Sequence, residues 1–358
     1  MSAALAIAAF GLACPVGLTA TTACAAIRAG INRRQLLPYT TDDGVSLSGS
    51  MLDQLPLHSP RRRRWLVLAH HALRDLLGER MTDALGRVPL VLAVADTAAA
   101  APSGVEVLRH ELSRQLELPS PIRELHVVVG GSTAGLRAVV AARELIRLRK
   151  AESCVVLAAD SLIDAHTLEE LSRHRRLLTE RNPDGFTPGE AAACLLVQGA
   201  SGRLAPTVGT ISGLGSAREP ATLDNDVPLR AEGVTRAAAA ALAEARLELH
   251  DVDFRVSDAT GESFWFKEQA LLPARLLRRR KVELPLWLTS AELGHTRAAA
   301  ALSGVVMALA ASARDLAPGP LSLVFAGDED GARVAAVVAA PRRQAAGGAA
   351  AGTGCPKK

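Results

Sequence analysis

The stretch from Val127 to Lys150, VVVGGSTAGLRAVVAARELIRLRK, decides how this chain is read. Three valines run into two glycines and a serine, and the apolar positions that follow recur every three or four residues. The pattern predicts a buried strand, a tight turn and a long helix, with Ser132 at the turn. A side chain there projects from the end of a sheet, and the unpaired N–H groups and dipole of the helix favour negative charge beside it. Two readings of Ser132 follow. It is a helix cap, as Ser and Thr are at many helix starts, or it is a nucleophile on an elbow, since Gly130-Gly131-Ser132-Thr133-Ala134 comes within one residue of the G-x-S-x-G form.

Outward from this unit the alternation continues. Apolar runs predict strands at 3–10, 89–95, 124–130, 154–160, 191–198, 206–212, 252–258, 284–289, 320–326 and 332–340. Helical periodicity falls between them near 19–29, 65–78, 103–117, 134–149, 164–178, 231–247, 262–279 and 297–314. Strands alternating with helices of this length imply an α/β protein with largely parallel sheets. Residues 126–149 and 286–310 also share one plan: apolar strand, short polar turn, long helix of small residues. Two halves laid out alike would bring the Ser132 turn and the His295 turn together at the centre of the molecule. Residues 342–358, rich in Gly and Ala and ending in Lys357 and Lys358, read as a disordered tail.

With 358 residues and 49 % hydrophobic content, the chain can bury a large core. Only 3 % is aromatic, so that core must be built from Ala, Val and Leu with closely approaching helices. One tyrosine and three tryptophans offer little for base stacking, which argues against a nucleic-acid partner. A net charge of +4 is mild and suits an acidic protein partner as well as none. The five cysteines make no C-x-x-C pair and no His-ligand spacing, so no metal or other cofactor is expected. They read as core residues of a reduced, cytoplasmic protein. The opening MSAALAIAAFGLAC has no Lys or Arg ahead of its apolar run and reads as a first strand, not a signal peptide. The longest uncharged helical stretch, 298–313, is too short to span a membrane.

Four segments then fall in a consistent order. Residues 6–33 read as a strand, a turn with Pro15 and Gly17, and a helix ending at Gly30; residues 175–197 contain DGFTPGEAAACLLV; residues 199–215 read as the next strand; residues 292–311 contain ELGHTRAAAALSG. Together they resemble the β-ketoacyl-acyl carrier protein synthases, condensing enzymes of the thiolase fold. Asp184, Gly185, Phe186, Gly189 and Glu190 match that family's D-G-F-x-x-G-E stretch, and Gly294 with His295 its G-H-T segment. The resemblance runs from residue 1 to about 340. It implies an α/β, thiolase-like fold of two pseudo-repeated halves in α-β-α-β-α layers, with residues 1–200 as the N-terminal half and 201–341 as the C-terminal half.

The family's chemistry uses a cysteine at a helix N-terminus, two histidines and a lysine. Matching Ala142–Arg147 to the family's helix places Ser132 where that cysteine belongs. Asp258, Thr260 and Gly261 stand where the family's H-G-T turn carries its first histidine, His295 matches the second, and Ser290 falls on the lysine. The family's late glycine-rich turn has become FAGDEDG at 325–331. A serine hydroxyl, unlike a thiol, is a weak nucleophile without an adjacent base. The resemblance therefore implies a ketosynthase-like protein that has lost the condensing set and acts as a non-catalytic partner, adaptor or scaffold. It would form a homo- or heterodimer, and its partner would be an acyl carrier protein, a ketosynthase-like subunit or a bacterial secreted-effector system. Two enzyme readings stay open. One is an acyltransferase or esterase-like enzyme in which Ser132 and His295 act on an acyl thioester, with Asp258 or Glu262 orienting the histidine; the other is a divergent β-ketoacyl synthase. The basic runs Arg61, Arg62, Arg63, Arg64 and Arg278, Arg279, Arg280 are either solvated faces or docking sites for an acidic partner.

Overall fold

Successive side chains of a strand point to opposite faces, and in this chain both faces are apolar. The computed structural model describes residues 4–41, 43–78, 85–95, 101–118, 121–200 and 207–341. Within it, β4 (Leu90–Val94), β6 (Ser153–Ser161) and β7 (Glu190–Gly199) are buried nearly throughout. Val91, Ala93, Val156, Ala158, Ala193 and Leu195 face one core, while Leu90, Leu92, Val155, Leu157, Ala192 and Cys194 face a second. The first core is filled by α1 (Ala20–Arg28), α4 (Ala134–Arg147) and α9 (Ala300–Ser312), and the second by α2 (Arg61–Leu77) and α3 (Pro102–Gln115).

The other half repeats the arrangement. Strands β9 (Phe254–Ser257), β11 (Leu321–Gly327) and β12 (Ala332–Ala339) turn Val256, Val324 and Ala336 to the same central helices. They turn Leu323, Phe325 and Val337 to an outer layer of α6 (Glu232–Ala245) and α7 (Ser263–Leu276). With β1 (Leu5–Ala13), β5 (Leu125–Val129), β8 (Gly209–Arg218) and β10 (Leu286–Leu288), the sheet order is β10-β9-β11-β12-β8-β1-β7-β6-β4-β5. Read outward from its middle, the sheet gives β1-β7-β6-β4-β5 on one side and β8-β12-β11-β9-β10 on the other, one plan twice. The central helices sit between the two halves, which yields the α-β-α-β-α layering.

Two expectations need correction. The sheet is mixed, not largely parallel: β4 runs parallel to β5 and β6, and β9 to β10 and β11, but the five inner pairings are antiparallel. The reason is plain at β11 and β12, where a four-residue turn reverses the chain, as short connections must. Residues 34–50 carry no predicted element yet form the hairpin β2 (Arg34–Thr40) and β3 (Ser46–Ser50). Most of β2 is exposed and contains Pro38, so it lacks the apolar alternation that would announce a strand.

Small residues set the helix distances. A Cβ at Gly213 or Gly215 would lie 2.0 or 2.1 Å from the carbonyls of Ala241 or Ala237, so α6 packs directly on the backbone of β8. Cys14, Cys24, Cys154 and Cys194 are free and buried. Burial pushes the Cys14 and Cys154 thiols up to about 12, so they behave as small apolar residues. Among the described residues no helix is long and apolar enough to cross a membrane. The tail at 342–358, with Cys355, lies outside the described residues.

Candidate active site

The D-G-F-x-x-G-E motif builds one wall. The Gly189 N–H donates to the His295 carbonyl (3.0 Å) and the His295 N–H to the Thr187 carbonyl (2.8 Å), so the strand leading into β7 is zipped to the loop after α8 (Ser290–Leu293). A Cβ at Gly189 would lie 2.0 Å from the Leu293 carbonyl, which is why that position needs glycine. Phe186 packs edge-on against the His295 ring with centroids 4.7 Å apart. Asp184 accepts from the Ser263 N–H (2.6 Å) and hydroxyl (3.0 Å), fixing the start of α7. Glu190 is fully buried and holds Arg64 (3.0 Å), the Ser161 hydroxyl (2.7 Å) and the Leu52 N–H (2.6 Å). These motif residues position the site.

Ser132 and His295 meet across a cavity of about 370 Å³ whose walls also include Arg137, Arg176, Asp258, Trp265, Arg297 and Asp328. Ser132 arrives from the turn between β5 and α4, and His295 from the corresponding turn before α9. The Ser132 hydroxyl is a hydrogen-bonding neighbour of the Asp258 carboxylate, and Asp258 also accepts from the Gly327 N–H (3.0 Å). Burial pushes the Asp258 carboxyl up to about 6 against the pull of the Gly327 N–H; Asp328 nearby adds to the rise, and Arg333 and Ser132 oppose it. Burial also drives His295 down to about 3, with the charges of Arg297 and Arg176 acting in the same sense. At neutral pH this imidazole is uncharged. Among the described residues no hydrogen bond joins Ser132 to His295, and His295 Nδ1 has no partner.

Glu262 turns elsewhere. Its carboxylate takes both arms of Arg176, the Trp265 indole N–H (2.8 Å) and the Thr260 hydroxyl (3.3 Å). The structure therefore gathers Ser132, Asp258 and His295 around one cavity, places Asp258 beside the serine, and gives Glu262 to Arg176. Ser290 donates its hydroxyl to the Ala259 carbonyl.

Ser132 does not cap α4. Asp328 does, from the opposite half: its carboxylate accepts from the Thr133 N–H (2.9 Å), the Thr133 hydroxyl (2.6 Å) and the Gly131 N–H. Glu329, the next residue, pairs with Arg176 at 2.9 Å. The acidic turn at 325–331 was visible in the sequence as a departure from a glycine-rich one, but nothing local assigned Asp328 to a helix 195 residues away. Arg176, Arg297 and Trp265 also escaped sequence reasoning.

The two basic runs separate. Arg61 pairs with Asp160 (2.6 Å), Arg62 with Glu111 (2.6 Å) and the buried Arg64 with Glu190, which leaves Arg63 as the exposed member. Three of the four arginines of that run are thus held in ion pairs within the fold. Arg278, Arg279 and Arg280 are exposed in the loop after α7.

Set beside known proteins, residues 124–202 match the family model of the beta-ketoacyl synthase N-terminal domain. No curated protein matches the sequence. The solved structures it resembles include a ketosynthase from module 6 of the bacillaene synthase of Bacillus subtilis 168, at 14 % identity and TM-score 0.74, covering 95 % of this chain and 72 % of that one. The ishigamide ketosynthase/chain length factor gives 19 % identity and TM-score 0.69, covering 95 % of this chain and 100 % of that one. A ketosynthase in complex with its chain length factor from Xenorhabdus doucetiae gives 13 % and 0.72, covering 95 % and 98 %. The chain thus has the thiolase-like fold of these ketosynthase neighbours.

Proposed function

We propose that the protein is a non-catalytic, ketosynthase-like partner subunit that works by pairing with a second chain of the same fold. The observation that carries this reading is the Asp328 carboxylate on the N-terminus of α4. A nucleophile at this turn would draw on those N–H groups to stabilise developing negative charge. Here a resident carboxylate already takes them, and it adds negative charge where an oxyanion would form. Ser132 faces Asp258 and not a histidine, and an imidazole with a pKa near 3 is a feeble base. Support also comes from neighbours described as a ketosynthase bound to its chain length factor, whose lengths this chain spans almost fully.

The pairing surface we assign is the edge of β5, whose five residues are all half-buried and whose outer side has no strand beside it among the described residues. An apolar, unguarded edge is a template for another strand. The test is intact-protein mass spectrometry after incubation with acyl- and malonyl-loaded carrier protein, acyl-coenzyme A and a serine-reactive fluorophosphonate, with Ser132→Ala in parallel, alongside native mass measurement. The expected result is an unmodified chain in a dimer. An adduct absent from Ser132→Ala would replace this reading with an acyl-transferring enzyme using Ser132.

A further inference from the structure

The cavity around Ser132 carries two opposed sets of charge. Arg137, Arg176 and Arg297 line it together with Asp258, Asp328, Glu329 and Asp330. Three of those four carboxylates are consecutive residues of the β11–β12 tip, which reaches across from the C-terminal half. Withdrawal of the tip would leave three arginines facing Asp258 alone. The helix start beneath the tip then exposes the Gly131 N–H, the Thr133 N–H and the Thr133 hydroxyl, three convergent donors at the positive end of a 14-residue helix.

Further features mark the place as built for an anion. His295 is 8 % exposed, lines the same cavity, and leaves Nδ1 without a partner among the described residues. Arg297 adopts φ +41, a left-handed conformation that a non-glycine residue holds only when its surroundings impose it. Arg297 lines the cavity and makes no ion pair among the described residues. Gly131 is bare for a reason: a Cβ there would stand 2.7 Å from Asp328 Oδ1, so the backbone is stripped to admit a carboxylate. The tip itself is bounded by Gly327 and Gly331, the latter at φ +96.

We propose that the start of α4 is a carboxylate-binding hole, and that Asp328 is its internal ligand: the β11–β12 tip plugs a site that accepts a small carboxylate once the tip's own carboxylate is gone. The inference rests on the reading of this cavity as one withdrawn from catalysis, and it adds what occupies the site and what would compete for it. In the plugged state Glu329 fastens the tip to Arg176 and the Arg333 guanidinium donates to the Asp328 carbonyl (2.8 Å), so the plug is held at several points.

The test compares wild type with Asp328→Ala in thermal unfolding, adding sodium acetate or sodium chloride at equal ionic strength from about 1 to about 100 mM, where a ligand specific to the folded state raises the midpoint with concentration. The expected result is an Asp328→Ala midpoint that rises by a few degrees in acetate beyond chloride, a wild type that responds alike to both salts, and an acetate response that falls when Thr133→Val is added. Equal responses to the two salts in Asp328→Ala, or an acetate response of wild type as large as the variant's, would overturn the proposal. If Asp328→Ala unfolds on purification, refolding from urea in the two salts replaces the melt: better recovery in acetate supports the hole, equal recovery overturns it. Acylation of wild-type Ser132 would refute the partner-subunit reading and leave this comparison untouched, so the two fail separately.

Discussion

Asp258 and His295 face the same cavity and respond to pH in opposite senses. The Asp258 carboxyl, at about 6 in the fold against an ordinary 3.8, binds its proton more tightly folded than unfolded. Its charged form therefore weakens the fold above pH 6, and that penalty is relieved as pH falls towards 4; two pKa units correspond to roughly 3 kcal/mol. Asp258→Asn keeps an acceptor for Gly327 and lies among Ser132, Asp328 and Arg333. Its stability relative to wild type should rise by roughly 3 kcal/mol between pH 4 and pH 8. Urea titrations at both pH values check this, and a difference independent of pH would contradict the assigned burial. His295, near 3 in the fold against 6.5, is held neutral beside Arg176 and Arg297. The unfolded chain takes up the proton below pH 6.5, so this residue makes wild type lose stability on acidification at about 1.4 kcal/mol per pH unit. His295→Gln should remove that share of acid sensitivity between pH 6.5 and 4.5, read from the same titrations. Both residues were legible in the sequence as candidates, through their places in the DATG and GHT turns. Their electrostatics were not, because burial and facing charges come from other segments.

At the scale of elements, the D-G-F-x-x-G-E stretch acts as a scaffold. Gly189→Ala would force the start of β7 away from the Leu293 carbonyl, with an expected loss of about 2–3 kcal/mol and displacement of His295. Thermal unfolding and the His295 ring proton shifts measure the two effects, and an unshifted histidine would show that the zipper does not position it. Arg64→Ala leaves Glu190 charged and unpaired in the interior, a loss of about 3–5 kcal/mol, whereas exposed Arg63→Ala should fall within about 0.5 kcal/mol. Equal losses for the two would mean that the Arg64–Glu190 pair contributes little. Elements with strong periodicity were read closely: the predicted helix at 134–149 is observed at Ala134–Arg147, and the predicted strand at 191–198 at Glu190–Gly199. The hairpin of β2 and β3 was missed because β2 is mostly exposed and broken by Pro38, and β3 is five residues of Ser and Gly around a single Leu. Nor did the RRRR run betray which of its arginines is buried, since helical phase relative to the core decides that.

For the whole molecule, the repeated strand order means that each half delivers one turn to the shared cavity, Ser132 from one and His295 from the other, while the β11–β12 tip crosses between them. The open edge of β5 lies at one end of the sheet. Val128→Lys should shift the native mass from dimer to monomer, since a charge on an edge opposes strand pairing. A dimer that persists in Val128→Lys would place the contact elsewhere. By itself the sequence determined the α/β class and pointed to two stretches of one plan, because hydrophobic period is a local property of the chain, while the layering and the motif residues came through the family resemblance. The tertiary structure alone decided that Asp258 faces Ser132, that Glu262 belongs to Arg176, and that Asp328 caps a helix 195 residues distant. Those are contacts between segments, fixed by how the halves pack and where each side chain then points, and no local pattern encodes them.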